Sequence, residues 1–396
     1  MSKTEQLSTY VQRQQQINWH IKPPQLSIFD IELTERCNNN CIHCCINQPV
    51  NHQPSIHREL SASEWKDLLS QASALGAPSV RFTGGEPLLR SDFVELYLFA
   101  RRLGLSVMLF TNGRLITPEL ADLFVRIPPR ETIELTSYGM SAESYETVSR
   151  IPGSFEQFRR GIDLLRSRGI RFSVKGTLLP PAKSEIEAFI KWHGEICQQQ
   201  RLPSLVLFLE LRHRRDSIQK NGRIIKMRLP PEEGLAYLSR NRDDFISDVH
   251  SICKYSTTKP TALLFTCNAG NRLCIDAYGR IQYCLALRHP DTVVDSRSHS
   301  ISYYLNEFLP ELRKIRATNP EFLRRCARCM LRGLCEQCPA KSWIEHGVLD
   351  QPVEYCCEIA HAQARWLGIL KEDEYGWEVR DWPERVRRLE EKTAGS

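Results

Sequence analysis

Short β-branched runs alternate with amphipathic segments over the first half of this chain. Ile28–Leu33 reads as a strand, and Ser61–Leu75 as a helix whose start is marked by Ser61 with Glu64 three residues later, a capping box. The alternation continues with a strand at Ser79–Phe82, a helix at Asp92–Leu103 and a strand at Ser106–Phe110. A helix follows Thr117-Pro118, and Thr132–Leu135 reads as the next strand. Phe155–Arg168 is expected as a helix, Arg171–Leu178 as a strand, Ile186–Gln198 as a helix and Leu205–Leu211 as a strand. About six βα repeats imply a parallel sheet with right-handed crossovers. The expected fold class is α/β, a partial (β/α)6 TIM-like barrel over residues 27–240, behind a polar, Gln-rich arm at 1–26. In such a barrel the functional loops lie at the C-terminal strand ends.

The periodicity breaks near residue 250. Residues 250–360 are loop-rich and cysteine-dense and read as a second, small domain held together by metal. Residues 361–396, with Trp366, Trp377 and Trp382 among many charges, read as a helical tail. The 396 residues are 41% hydrophobic and 25% charged, enough for a sizeable core. The net charge of +6 is spread without a run of five basic residues, which argues against a nucleic-acid partner. There is no apolar signal segment at the N-terminus and no stretch of 18 apolar residues, so a cytoplasmic chain away from membranes is expected. Thiols stay reduced there, and 15 cysteines then point to metal rather than to disulfides.

Cys37-x3-Cys41-x2-Cys44 follows the first strand and supplies three thiolates on one loop. A structural zinc ion wants four ligands, for which Cys45 or His43 stands near. Three thiolates alone suit an iron–sulfur cube with one iron left open, and an open metal position is a reactive one. Thr83-Gly84-Gly85-Glu86-Pro87 ends the second strand, where glycines let backbone approach a ligand and a carboxylate suits an ammonium group. Farther on stand Cys267, Cys274 and Cys284, then Cys326-x2-Cys329-x5-Cys335-x2-Cys338, then Cys356. The C-x2-C pairs also fit a zinc ribbon, but eight cysteines are enough for two fully ligated cubes. Cys45, Cys197, Cys253 and Cys357 read as small buried hydrophobes.

On these motifs the chain resembles the radical S-adenosylmethionine (SAM) enzymes. Cys37, Cys41 and Cys44 match that family's cysteine loop, with His43 in place of the usual aromatic ring beside adenine, and Gly84 to Pro87 match its GGEP motif. Asn112, Thr136 and Arg150 resemble its contacts to the SAM ribose and carboxylate. Cys267-x11-Gly279-x4-Cys284 resembles the opening of a SPASM domain, although Cys335-x2-Cys338 is one residue shorter than that domain's usual spacing. The resemblance implies three [4Fe-4S] clusters, one binding SAM and two auxiliary. It also implies crossed ligation of the auxiliary pair: Cys267, Cys274, Cys284 and Cys338 on one, Cys326, Cys329, Cys335 and Cys356 on the other.

The activity so implied is reductive cleavage of SAM to a 5′-deoxyadenosyl radical, which abstracts hydrogen from a ribosomally made precursor peptide. The outcome would be crosslinking, excision, epimerisation or oxidation, with an external reductant supplying the electron. Oxidation of a small molecule or a sulfatase-type protein is the alternative, and Leu285 stands where sulfatase maturases carry an Asp. An iron–sulfur electron-transfer or scaffold protein is the alternative of another class, but a pure carrier has no need of an open iron. The 1–26 arm is too short for a leader-binding domain, so a separate recognition protein is expected to deliver the peptide. Tyr138, Glu210, Arg214, Asp216 and Asp276 are polar candidates near the expected mouth or cysteine array, without an assigned catalytic role.

Overall fold

The computed structural model describes residues 26, 28–177, 179–197, 205–206, 211, 217–240, 242–243, 245–247, 260–266, 272–381 and 384–385. Two compact units divide the chain: residues 1–199, 269–285 and 290–309 form the first, and 200–268, 286–289 and 310–396 the second. Among the described residues the strands are β1 (Ile28–Thr34), β2 (Arg36–Cys37), β3 (Gln48–Pro49), β4 (Ser79–Gly84), β5 (Ser106–Thr111), β6 (Arg130–Ser137), β7 (Phe172–Thr177), β8 (Leu205–Val206), β9 (Arg272–Ile275), β10 (Arg280–Gln282) and β11 (Val293–Asp295).

In the first unit the strand order is β11-β10-β9-β1-β4-β5-β6-β7. Every pairing from β9 through β7 is parallel, and at the edge the reversed β10 pairs antiparallel with both β9 and β11. Parallel strands need crossovers, and the amphipathic segments supply them: Ala62–Ala74, Phe93–Arg102, Pro118–Arg126 and Ser154–Ser167 each bury one apolar face. The capping box forms as its spacing suggests, with the Glu64 amide donating to Ser61 Oγ and the Ser61 amide to Glu64 Oε2 at 2.7 Å. Phe29, Ile31 and Leu33 on one face of β1 are fully buried, and Asp30 and Glu32 on the other are buried too, as fits a strand covered on both faces.

The compact units do not part at the expected boundary of 240–250. β9 pairs in parallel with β1, Phe29 opposite Leu273 and Ile31 opposite Ile275, so the segment carrying Cys274 extends the sheet of the first unit. Periodicity could not reveal this, because β9 is only four residues long. A helix at Ala142–Ser149 was also not expected, its start being a short Ser-rich turn capped by Ser141.

The second unit is loop-rich. Its core gathers Leu235, Phe245, Leu331, Leu334, Ala360, Ala364 and Leu370 around the helix Glu354–Trp366. That helix begins before residue 361, across the expected start of the tail. The arm up to residue 25, together with Cys253, Cys267, Glu210, Arg214, Asp216 and Trp382, lies outside the described residues. Among the described residues no helix is long and apolar enough to cross a membrane.

Candidate functional site

The cysteine loop leaves the C-terminal end of β1 and is strapped down from several sides. The amides of Asn40 and Ile42 donate to the carbonyls of Ser149 and Val148, fixing the loop on the last turn of the helix Ala142–Ser149. Arg114, 9% exposed, donates to the Asn38 carbonyl, to Asn39 Oδ1 at 2.6 Å and to Gln157 Oε1 at 2.8 Å. A buried guanidinium spread over three neutral acceptors is costly to remove, and nothing in the spacing of Arg114 announced this role.

The three thiols crowd one another. Burial, with the charges of Glu86, Cys41 and Cys44 adding to it, holds the Cys37 thiol well above its ordinary range. Burial likewise pushes Cys41 up to about 12, with Cys44 adding and a hydrogen bond from Tyr138 opposing. Polar donors already point at sulfur: the Asn39 amide at 3.3 Å and, longer, Asn112 Nδ2 at 3.7 Å, both on Cys37. Buried thiols that repel as anions yet are met by donors suit a cationic metal core, which lowers thiol pKa outright. Among the described residues no group of three or more His, Cys, Asp or Glu closes on a single metal ion. Three thiolates on one loop leave one corner of a cube without a protein ligand, whereas a structural zinc ion wants four ligands, so the donor set fits the cube better than zinc.

The Gly-Gly pair has a steric reason. A Cβ on Gly84, whose φ is +136°, would stand 2.2 Å from the Thr34 carbonyl oxygen, and one on Gly85 would stand 2.2 Å from that of Arg36. Glycine at both positions lets the amides of Gly85 and Glu86 donate to Thr34 O and Arg36 O at 2.7 and 2.9 Å, directly before Cys37. Glu86 is fully buried; its carboxylate accepts from the Leu88 amide at 3.1 Å, Thr111 Oγ1 at 2.8 Å and the Asn112 amide at 2.8 Å. Burial pushes its pKa up to about 7 against these donors. A carboxylate offers about four acceptor positions, so one remains for a further donor. Thr83 lies in β4 and Pro87 opens a single 3-10 turn, Pro87–Leu89.

The other expected SAM contacts fare unequally. Asn112 is tied to the loop itself, its amide donating to Asn38 Oδ1 at 2.7 Å and its oxygen accepting from the Arg114 amide at 3.1 Å. The His43 ring packs edge-on against Tyr138, centroids 5.4 Å apart, and burial lowers its pKa to about 4, so it is a neutral ring. Its Nδ1 is buried without a hydrogen-bond partner. Thr136 sits in β6 opposite Lys175. Arg150 caps the helix Ala142–Ser149 in the left-handed region, φ +59°, with its side chain exposed.

The remaining cysteines fall into both units. In the first, the Cys274 sulfur on β9 accepts from Gln282 Nε2 at 3.4 Å in a fully buried setting, and Asp276 is buried in a salt bridge with Arg280. The thiols of Cys284 and Cys274 add to burial in raising the Tyr304 phenol. In the second unit Cys326, Cys329, Cys335, Cys338 and Cys357 line one cavity. Backbone amides of Leu331 and Gln337 donate to the Cys329 and Cys335 sulfurs at 3.4 Å each. Gly376 presses on Cys329, since a Cβ there would stand 2.8 Å from its sulfur. Burial raises Cys326 to about 12 and Cys329 to about 11, and Cys357 adds to both. Of the adjacent pair, Cys357 lines this cavity, whereas Cys356 is buried, 8% exposed, and is not among the lining residues, although its charge acts on Cys335 more than that of Cys357.

Comparison with known proteins bears on this geometry. The Radical SAM superfamily profile matches residues 31–193. Over 155 residues the chain is 35% identical to an AdoMet-dependent heme synthase of Oleidesulfovibrio alaskensis, covering 39% of each chain. Over 158 residues it is 30% identical to a PqqA peptide cyclase of Xanthomonas euvesicatoria, covering 40% of this chain and 41% of that one. The chain thus matches about two fifths of the length of these curated relatives. Among solved structures it resembles Streptococcus suis SuiB bound to its precursor peptide SuiA, with TM-score 0.62, 16% identity and coverage of 88% and 79% of the two chains. It also resembles anSMEcpe with bound AdoMet, with TM-score 0.61, 14% identity and coverage of 93% and 100%. The mostly parallel sheet, the strapped cysteine loop and the glycine contact behind it belong together: this chain carries a radical SAM domain, and its named relatives over that domain are enzymes.

Proposed function

We propose that the chain is a radical SAM enzyme that modifies a precursor peptide, with Cys37, Cys41 and Cys44 holding the SAM-binding [4Fe-4S] cluster and the later cysteines holding auxiliary clusters. The observation that carries the cofactor reading is the three crowded thiols beside the backbone of Gly84–Glu86. When bound, the cluster and SAM supply a 5′-deoxyadenosyl radical. The chain's own part is to hold the loop rigid through Arg114 and Asn112, to keep an acceptor at Glu86 for an ammonium group, and to exclude water with His43 and Tyr138.

A peptide substrate is supported by likeness in fold to a protein solved with its precursor peptide, which extends over 88% of this chain, past residue 193. For the second auxiliary set we propose Cys326, Cys329 and Cys335 with Cys357, in place of the expected Cys356, because Cys357 lines the same cavity as those three and Cys356 is not among its lining residues. A second reading, a small-molecule substrate, is favoured by the 35% identity to heme synthases within the shared domain.

The test is anaerobic reconstitution with iron, sulfide, SAM and dithionite as reductant. Formation of 5′-deoxyadenosine is expected, and its absence from protein with full iron content would remove the enzyme reading. Candidate peptides, with and without a separate leader-binding protein, and candidate porphyrins are then offered. A mass change in the peptide supports the first reading, and one in the porphyrin alone the second.

A further inference from the structure

Arg325 is committed to a place where a neutral thiol has little use for it. Its guanidinium grips both oxygens of Glu354 at 2.7 and 2.8 Å, lies over the Trp377 ring at 4.6 Å and still donates to the Cys357 sulfur at 3.3 Å. Its side chain is 12% exposed, so the contact is partly desolvated. His361 closes on the same residue from the next helical turn. Its Nε2 accepts from the Gly376 amide at 3.1 Å, which leaves the proton on Nδ1. Nδ1 then donates to the Cys357 carbonyl at 2.8 Å and stands 3.5 Å from the Cys357 sulfur. Cys274, by comparison, accepts from the neutral side-chain amide of Gln282.

A charged donor gains most from an acceptor that stays anionic, and a metal-bound thiolate does. Hydrogen bonds to ligand sulfur stabilise the reduced, more negative form of a cluster over the oxidised form. We propose that Arg325 is a positioning residue that, with His361, aims the Cys357 sulfur as the last ligand of the second auxiliary cluster and raises that cluster's reduction potential. This rests on the cluster reading above. The Glu354 carboxylate tempers the effect by sharing the guanidinium charge, so Arg325 and Glu354 act with opposite sign on the potential.

The test uses the full chain with Cys37, Cys41 and Cys44 changed to Ala, so that only auxiliary clusters contribute, reconstituted and followed by redox titration with electron paramagnetic resonance. Cys357→Ala should lose about half the iron and sulfide of its parent, and Cys356→Ala none. Arg325→Met should keep the iron and shift one component to lower potential; Glu354→Gln should shift the same component upward. Loss of iron in Cys356→Ala with retention in Cys357→Ala overturns the ligand assignment. Shifts of Arg325→Met and Glu354→Gln in the same direction, no shift in either, or iron loss in Arg325→Met overturn the tuning role. A parent that takes up no iron overturns the cluster reading itself, and the proposal with it.

Discussion

The loop of Cys37, Cys41 and Cys44 and the cavity of Cys326, Cys329, Cys335 and Cys357 hold thiols by different means. The first loop hangs from the end of a buried parallel strand, and backbone contacts through Gly84 and Gly85 fix its position. Its donors to sulfur are neutral: an amide of the chain, the Asn112 side chain and Tyr138. Among the described residues, the second grouping stands on loops, short helical turns and one helix rather than at the end of a strand. A guanidinium, an imidazole and the tight turn at Gly376 position its sulfurs, within a modest core. A site built on regular structure exists before its cofactor arrives, whereas one built from loops depends on the cofactor for part of its stability.

The comparison can be broken most decisively at the first loop. Changing Cys37, Cys41 and Cys44 together to Ala should abolish SAM cleavage, measured as 5′-deoxyadenosine, while the iron of the later cysteines remains. Any cleavage above the reagent blank would reassign the loop. Chelating the metal from the wild-type protein comes next. Hydrogen exchange should rise sharply over residues 320–366 of the second unit and little over β1 and β4–β7. Equal loss of protection in both regions would erase the distinction.

The two glycine contacts offer a finer contrast. In Gly85→Ala the new methyl meets backbone, the Arg36 carbonyl, and should cost about 3 kcal/mol or more along with SAM binding. In Gly376→Ala it meets the Leu331 and Cys329 side chains rather than backbone, and a smaller cost of about 1 to 2 kcal/mol is expected by denaturant titration. A larger loss for Gly376→Ala would mean that the cavity is the more rigid of the two. The smallest effect concerns acid. His193 in the helix Ile186–Cys197 has its pKa lowered by burial, so the unfolded chain binds its proton first as pH falls. Stability from this residue is present above the ordinary histidine pKa of 6.5 and is lost below it. His193→Phe should flatten that part of the stability–pH curve, and an unchanged slope would assign it elsewhere.

Local order carried much of this protein. The alternation of β-branched runs with amphipathic segments yields the strand and helix series from Ile28 to Cys197, because each element is stabilised by a period written in its own residues. The spacing of Cys37, Cys41 and Cys44, and the glycines of GGEP, likewise carry their chemistry within a few residues. What lay beyond reach were partners distant in the chain. That β9 joins the sheet beside β1 depends on a pairing across more than 240 residues, and four residues hold too weak a signal for it. Arg114 beneath the cysteine loop and Arg325 against Cys357 look like any surface arginine until the fold supplies acceptors 75 and 32 positions away. The adjacent pair Cys356 and Cys357 is the sharpest case. Composition and spacing treat them alike, but successive residues on a helix point about 100° apart, so the rotation of the helix Glu354–Trp366 alone decides which sulfur faces the cavity.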